Sequence, residues 1–84
     1  MEVFYYQFPT SRGAVSIIPQ PNGRWQIMFK NDGLGSYHSP EAAASDASVG
    51  STFSTSDGTD LVSLGVPEDL NEWTKLPFAK LTWE

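Results

Sequence analysis

The sequence predicts a small α+β domain, an antiparallel β-meander of three to four strands packed against one short, alanine-rich helix. Short helical turns and an apolar C-terminal segment complete it. Two patterns predict this class. Aromatic and β-branched residues alternate with other residues in the first half of the chain, whereas a serine–proline–glutamate sequence opens an alanine-rich stretch in the second half. The 84 residues are too few to divide further, so residues 1–84 are expected to form one domain.

The first two predicted strands lie in residues 3–8 and 14–18. In residues 3–8 an aromatic side chain recurs at every second position, which is typical of a strand that is buried mainly on one face. Val15 and Ile17 share one face of the second strand. Pro19 is expected to end that strand, because proline cannot donate a hydrogen bond to a neighbouring strand.

A hairpin turn at Asn22-Gly23 predicts a third strand in residues 24–30. We expect both turn residues to take positive φ angles, because tight turns between twisted strands use this geometry. The inward-facing side chains of the third strand are Trp25, Ile27 and Phe29. A second turn at residues 31–33 predicts a short fourth strand in residues 34–37.

Residues 39–41, with the sequence Ser-Pro-Glu, predict the start of a helix that ends near Gly50. The serine caps free amide groups, proline is tolerated at the first helical position, and glutamate is favoured at the positive end of the helix dipole. The buried stripe is expected to consist of small side chains: Ala43, Ala44 and Ala47. Because these bury little area, the aromatic residues of the strands must supply most of the core.

The rest of the chain is predicted to hold a polar loop, two short helical turns and an apolar tail. The two turns lie in residues 60–65 and 67–73. The side chains expected to fold back onto the core are Leu61, Leu64, Leu70 and Trp73. The tail, residues 74–84, is too apolar for a free solvated end, so it either adds an edge strand or forms part of an interface, including one between copies of the chain.

Residues 24–47 resemble the three-strand-plus-helix module of plant AP2 domains and of the arm-binding domains of phage-type integrases. The resemblance rests on the strand with Trp25, on Leu34-Gly35-Ser36-Tyr37, and on Ser39-Pro40-Glu41-Ala42-Ala43 at the helix start. It implies a sheet that carries one helix. Those modules read DNA with basic residues along the sheet, which this sequence lacks, so only the architecture is expected to carry over.

The charged residues are unevenly distributed along the chain. The net charge is −5, and residues 31–74 hold eight acidic side chains with no Lys or Arg. We expect this half to present an anionic surface that repels nucleic acid and anionic lipid and attracts basic partners. The alternative is that the charge only maintains solubility.

No pattern for catalysis or metal binding is recognisable. The chain has no cysteine, which excludes disulfides and thiolate metal ligands and fits a reducing cytoplasm. His38 is the only histidine, and a histidine beside a helix cap is more often a solvated polar residue than a base or a ligand. Residues 57–60 lack the alternating acids and the final glutamate of a calcium loop. We therefore expect no enzyme activity, cofactor or metal.

The chain also shows no export signal and no apolar run long enough to span a bilayer, so a cytoplasmic location without membrane contact is expected. The favoured function is a protein-binding module that docks on a basic, nucleic-acid-binding surface of a larger complex. It would act as an inhibitor or adaptor, as small acidic phage and mobile-element inhibitors of the anti-CRISPR type do. The residues expected to bind the partner are Asp32, Tyr37, Glu41, Asp46, Asp57, Asp60 and Trp73.

The alternative function is a nucleic-acid-binding accessory domain that uses the N-terminal meander. Arg12, Arg24 and Lys30 would contact phosphates, and Tyr5 would stack on a base. Direct nucleic-acid binding is disfavoured because these are the only cations nearby, and because aromatics in a small domain are more often core residues. A third possibility is self-association through the apolar tail around Trp83.

Overall fold

The protein forms a five-stranded antiparallel sheet with a layer of short helices packed on one face. A computed structural model describes residues 3–30, 32–49 and 61–77. The elements in chain order are β1 (Phe4–Phe8), β2 (Val15–Pro19), β3 (Trp25–Phe29), β4 (Asp32–Tyr37), α1 (Pro40–Val49), α2 (Leu61–Leu64), a 3₁₀ helix (Leu70–Glu72) and β5 (Thr74–Pro77). The α+β class is confirmed, but the sheet has five strands where three to four were predicted.

The strand order across the sheet is β4-β3-β2-β1-β5. The first four strands form the predicted meander, and β5 pairs antiparallel with β1, with Phe4 opposite Pro77. The first part of the predicted tail therefore adds an edge strand. Its Thr-Lys-Leu-Pro sequence has little β character of its own, and it becomes a strand because it pairs with the free edge of β1. The rest of the tail, residues 78–84, lies outside the described residues.

The turn between β2 and β3 differs from the prediction. Gly23 has a φ of 83°, but Asn22 is not among the residues with positive φ. The amide of Gly23 donates to the Gln20 carbonyl at 3.0 Å, which makes Pro21 and Asn22 the central turn residues. Because the Pro21 ring fixes φ near −65°, the loop becomes a three-residue turn with glycine in the left-handed position.

The turn between β3 and β4, in contrast, is shorter than the predicted residues 31–33. Asp32 already belongs to β4, where it pairs with Phe29, and Lys30 takes the left-handed conformation with a φ of 56°. A bulge follows within the pairing of β3 with β4. Gly35 has a φ of 145°, and a Cβ at this position would lie 3.0 Å from the Tyr37 ring. Glycine is therefore required at this point both by the backbone conformation and by the packing of tyrosine.

The helix α1 begins and packs as the sequence predicts. The Ser39 hydroxyl accepts a hydrogen bond from the Ala42 amide at 3.1 Å, which satisfies one of the free donors of the first turn. The three predicted alanines are fully buried against the sheet. The core members are Val15, Ile17, Ile27, Phe29, Leu34, Ala43, Ala44, Ala47, Val66 and Trp73.

The two predicted helical turns after residue 60 are both present. Gly65, with a φ of 71°, ends α2. The 3₁₀ helix begins at Leu70, later than the predicted residue 67, because the side chain of Asp69 caps it by accepting from the Asn71 amide at 2.9 Å. Leu64, Leu70 and Trp73 reach the core as predicted, whereas the side chain of Leu61 lies outside the described part.

Candidate binding surfaces

The two layers of the molecule carry opposite charge. We call residues 40–49 and 61–73, which contain α1, α2 and the 3₁₀ helix, the helical layer. Its charged residues are all acidic: Glu41, Asp46, Glu68, Asp69 and Glu72. The described strands and hairpin turns hold four basic residues and one acid: Arg12, Arg24, Lys30, Lys75 and Asp32. The uneven charge along the sequence thus becomes a separation between layers.

Three carboxylates of the helical layer are directed to solvent. Glu41 lies in the first turn of α1, and Glu68 and Glu72 lie around the 3₁₀ helix; all three side chains are exposed. The 3₁₀ helix contacts α1, which places these residues in one layer. Glu68 and Glu72 were not among the residues predicted to bind the partner, although both fall in the segment without Lys or Arg.

Two predicted site residues, Tyr37 and Asp46, meet at the junction of sheet and helix. The Tyr37 side chain at the end of β4 hydrogen bonds with the Asp46 carboxylate on α1. Burial raises the pKa of Tyr37, and the negative charge of Asp46 and its hydrogen bond raise the pKa further. Because a neutral tyrosine donates to the carboxylate, this contact ties α1 to β4 at neutral pH.

The remaining predicted acids do not join this pair. Asp32 is half-buried at the start of β4, five residues from Tyr37 along an extended strand, which corresponds to about 16 Å. Asp32 therefore belongs to the sheet and not to the helical layer. Asp57 and Asp60 lie outside the described residues.

Trp73, predicted as an aromatic contact for a partner, lies in the core. Its side chain is 5% exposed, its ring packs 5.9 Å from that of Phe8, and its indole nitrogen donates to the Pro67 carbonyl at 2.9 Å. This leaves almost no surface for a partner. The large apolar side chains that are exposed among the described residues are Val49, at 62%, and Val62, at 52%.

Both exposed valines belong to the helical layer. Val49 ends α1 and Val62 lies in α2, and these two helices contact each other. The position of Val49 follows from helix geometry. It lies two residues, or about 200° of rotation, beyond the buried Ala47, which turns it away from the core. The spacing is visible in the sequence, but the exposure of Val49 was not predicted from it.

Of the three cations named for the alternative function, Lys30 lies near Arg12, whereas Arg24 lies apart from both. The Lys30 side chain lies beside Gly13, next to Arg12, since a Cβ on Gly13 would be 3.8 Å from its Cε atom. Arg24 precedes β3 whereas Lys30 follows it, so their backbones are about 20 Å apart. Tyr5 is half-buried on the face of the sheet opposite the helices.

Among residues 3–30, 32–49 and 61–77, no group of three or more His, Asp or Glu side chains is placed to hold a metal ion. Within the same ranges, no helix combines the length and the hydrophobicity needed to cross a lipid bilayer. Comparisons with protein-family models, with curated proteins and with solved structures find no match to this chain.

Proposed function

We propose that the protein is a non-enzymatic protein-binding module that docks its helical layer on a basic surface of a larger protein or nucleoprotein complex. The supporting observation is that every charged residue in the described helical layer is acidic. Such a layer complements a surface that is built to bind nucleic acid. Occupying that surface makes the protein an inhibitor, or an adaptor when other parts of the complex stay accessible.

The apolar contact in this proposal comes from Val49 and Val62 and not from Trp73. Binding energy in protein interfaces concentrates in a few well-buried side chains, while surrounding charges mainly accelerate and orient the encounter. The two exposed valines sit in the layer that holds Glu41, Glu68 and Glu72. A partner that buries the valines while its basic residues meet the carboxylates therefore uses both features of one layer.

The test compares two triple variants with the same change in net charge. Glu41→Gln/Glu68→Gln/Glu72→Gln removes three charges from the helical layer, and Pro9→Lys/Ser11→Lys/Pro77→Lys adds three cations at exposed positions of the first turn and of β5, outside the helical layer. Both raise the net charge from −5 to −2. The wild-type protein is used to capture partners from nuclease-treated lysate of its source, and the affinity of the purified partner is then measured over a salt series.

We expect the glutamine variant to bind the partner at least tenfold more weakly, and the lysine variant to bind it as the wild type does. The wild-type affinity should also fall with rising salt, because exposed charges are screened within about 10 Å at 0.1 M ionic strength. Equal weakening of both variants would show that only net charge matters. An unchanged affinity of the glutamine variant would remove the helical layer from the interface.

A further inference from the structure

The face of the sheet opposite the helices, which we call the outer face, is made of two rows of side chains. Strand register places the first row in the order Leu76, Tyr5, Ile18, Gln26 and Ser36. It places the second row in the order Thr74, Gln7, Ser16, Met28 and Gly33. None of these ten residues is fully buried. The described helices pack on the other face, where the buried strand residues lie.

Arg24 is held in place at one corner of the outer face. Its amide donates to the Asn22 side chain at 3.0 Å, a bond supplied by the three-residue turn. Its Nε atom donates to the Ser36 hydroxyl and its Nη2 atom to the Ser36 carbonyl, both at 2.8 Å. These bonds occupy one edge of the guanidinium group. The other edge, formed by Nη1 and the second proton of Nη2, keeps the paired donors that fit a carboxylate.

The acceptor of Arg24 is itself fixed by a chain of side-chain hydrogen bonds. The Ser36 hydroxyl donates to the side-chain oxygen Oε1 of Gln20 at 3.0 Å, and Nε2 of Gln20 donates to Oε1 of Gln26 at 3.2 Å. The Gln26 amide lies over Gly33, where an added Cβ would come 2.2 Å from its Nε2 atom. Because these contacts restrict the arginine before any partner arrives, binding loses less side-chain entropy.

The composition of the outer face is that of a protein interface. Tyr, Met, Arg and aliphatic side chains lie among neutral Gln, Ser and Thr, and the ten residues of the two rows include no Asp, Glu or Lys. Interface cores are depleted of charged residues other than arginine and enriched in aromatics and methionine. With a single cation at its corner, the face offers too few phosphate contacts for nucleic acid.

We propose that the outer face is a second protein-binding surface, whose partner brings an Asp or Glu carboxylate to Arg24 and apolar side chains to Leu76 and Ile18. Charge complementarity identifies the occupant as a segment of another protein. Two copies of the chain packed through their outer faces would place no carboxylate on either arginine, since neither row contains one. The proposal is independent of the helical layer and makes the protein bivalent.

The experiment uses a displayed library of random 16-residue peptides as the probe, selected against the immobilised full chain. Selected peptides are synthesised, and their affinities are measured for the wild type, for the triple glutamine variant of the helical layer and for four further variants. Arg24→Gln removes the charge, Arg24→Lys keeps the charge without the paired donors, and Ile18→Ser interrupts the apolar row. Arg12→Gln is the matched control, because it makes the same charge change in a turn of the sheet.

We expect enriched peptides to combine Asp or Glu with aliphatic or aromatic residues. Their affinity should fall about tenfold in both Arg24 variants and in Ile18→Ser, and should stay unchanged in Arg12→Gln. The Glu41→Gln/Glu68→Gln/Glu72→Gln variant should also bind them normally, which separates this proposal from the function of the helical layer.

Four outcomes would overturn the proposal. The first would be a selection that yields no peptides combining acidic and apolar residues. The second would be that such peptides bind the Arg24 variants as tightly as they bind the wild type. The third would be that an oligothymidylate probe binds the wild type at low salt and binds Arg24→Gln more weakly, which would assign the outer face to nucleic acid. The fourth would be that sedimentation detects a dimer of the wild type and that Ile18→Ser abolishes this dimer, which would assign the outer face to a second copy of the chain.

Discussion

The helical layer and the outer face are separated by the thickness of one sheet, yet they are built in opposite ways. The helical layer covers the core with small side chains and carries only acidic charge. None of the described helices packs on the outer face, which holds neutral polar and apolar side chains around one positioned arginine. The helical layer suits long-range attraction of a basic surface, whereas the outer face suits short-range recognition. Substitutions on the helix-covered side of the sheet should therefore lower stability more than substitutions on the outer face.

The largest difference is expected between Trp73 and Met28, one on each side of the sheet. Trp73→Ala removes a buried aromatic and should lower the free energy of unfolding by about 3–5 kcal/mol. Met28→Ala trims a half-buried side chain of the outer face and should cost only about 1 kcal/mol. Urea unfolding of both variants measures this. Similar losses in the two variants would mean that the outer face is covered by other parts of the protein.

A smaller difference is expected between two glycines of β4. Gly35→Ala places a Cβ against the Tyr37 ring at a positive φ and should cost about 1–3 kcal/mol. Gly33→Ala displaces only the flexible amide of Gln26 and should leave stability within about 0.5 kcal/mol of the wild type. Thermal unfolding compares the two. In addition, Gly33→Ala should lower the affinity of the outer face for the selected acidic peptides, because it disturbs the side chains that hold Ser36 in place.

The smallest expected effect is the pH dependence of the contact between Tyr37 and Asp46. The pKa of Tyr37 is raised above its ordinary value of 10.0 in the folded protein, so the unfolded chain releases the proton first as pH rises. The resulting stabilisation is complete below pH 10 and is lost as the pH rises above 10. Tyr37→Phe should lower the free energy of unfolding by about 1 kcal/mol at pH 7. When the pH is raised above 10, the free energy of unfolding should fall less in this variant than in the wild type. Denaturant unfolding at both pH values checks this, and parallel pH profiles would contradict it.

Those features that depend on neighbouring residues in the sequence were predictable. The Ser39 cap and the buried alanines follow from helix rules, and the alternation in β3 identifies Ile27 and Phe29 as core residues. By contrast, β5 was only one of two alternatives, because Thr74–Pro77 owes its conformation to a distant edge. The fixed position of Arg24 was not predictable either, since it requires the register of β3 against β4 to bring Ser36 within reach.

The candidate surfaces show the same limit. The anionic half of the chain was visible in the sequence, and it forms the helical layer. The burial of Trp73 was visible only in part, because an amphipathic turn predicts that its indole reaches the core but not how much surface remains. The charge of a side chain follows from the residue type, whereas its exposed fraction depends on which residues pack around it in the folded chain.

The pairing of β1 with β5 has a consequence for how the chain folds. Phe4 and its partner Pro77 are separated by 73 positions (77 minus 4), nearly the whole length of the polypeptide. Closing so long a loop is slow relative to forming the meander, and during synthesis β1 leaves the ribosome well before β5 exists. The hairpins of the meander can form while later residues are still being synthesised, whereas Leu76 can pair with Tyr5 only after synthesis has passed residue 77. The outer face that we propose as a binding surface is therefore complete only from that point.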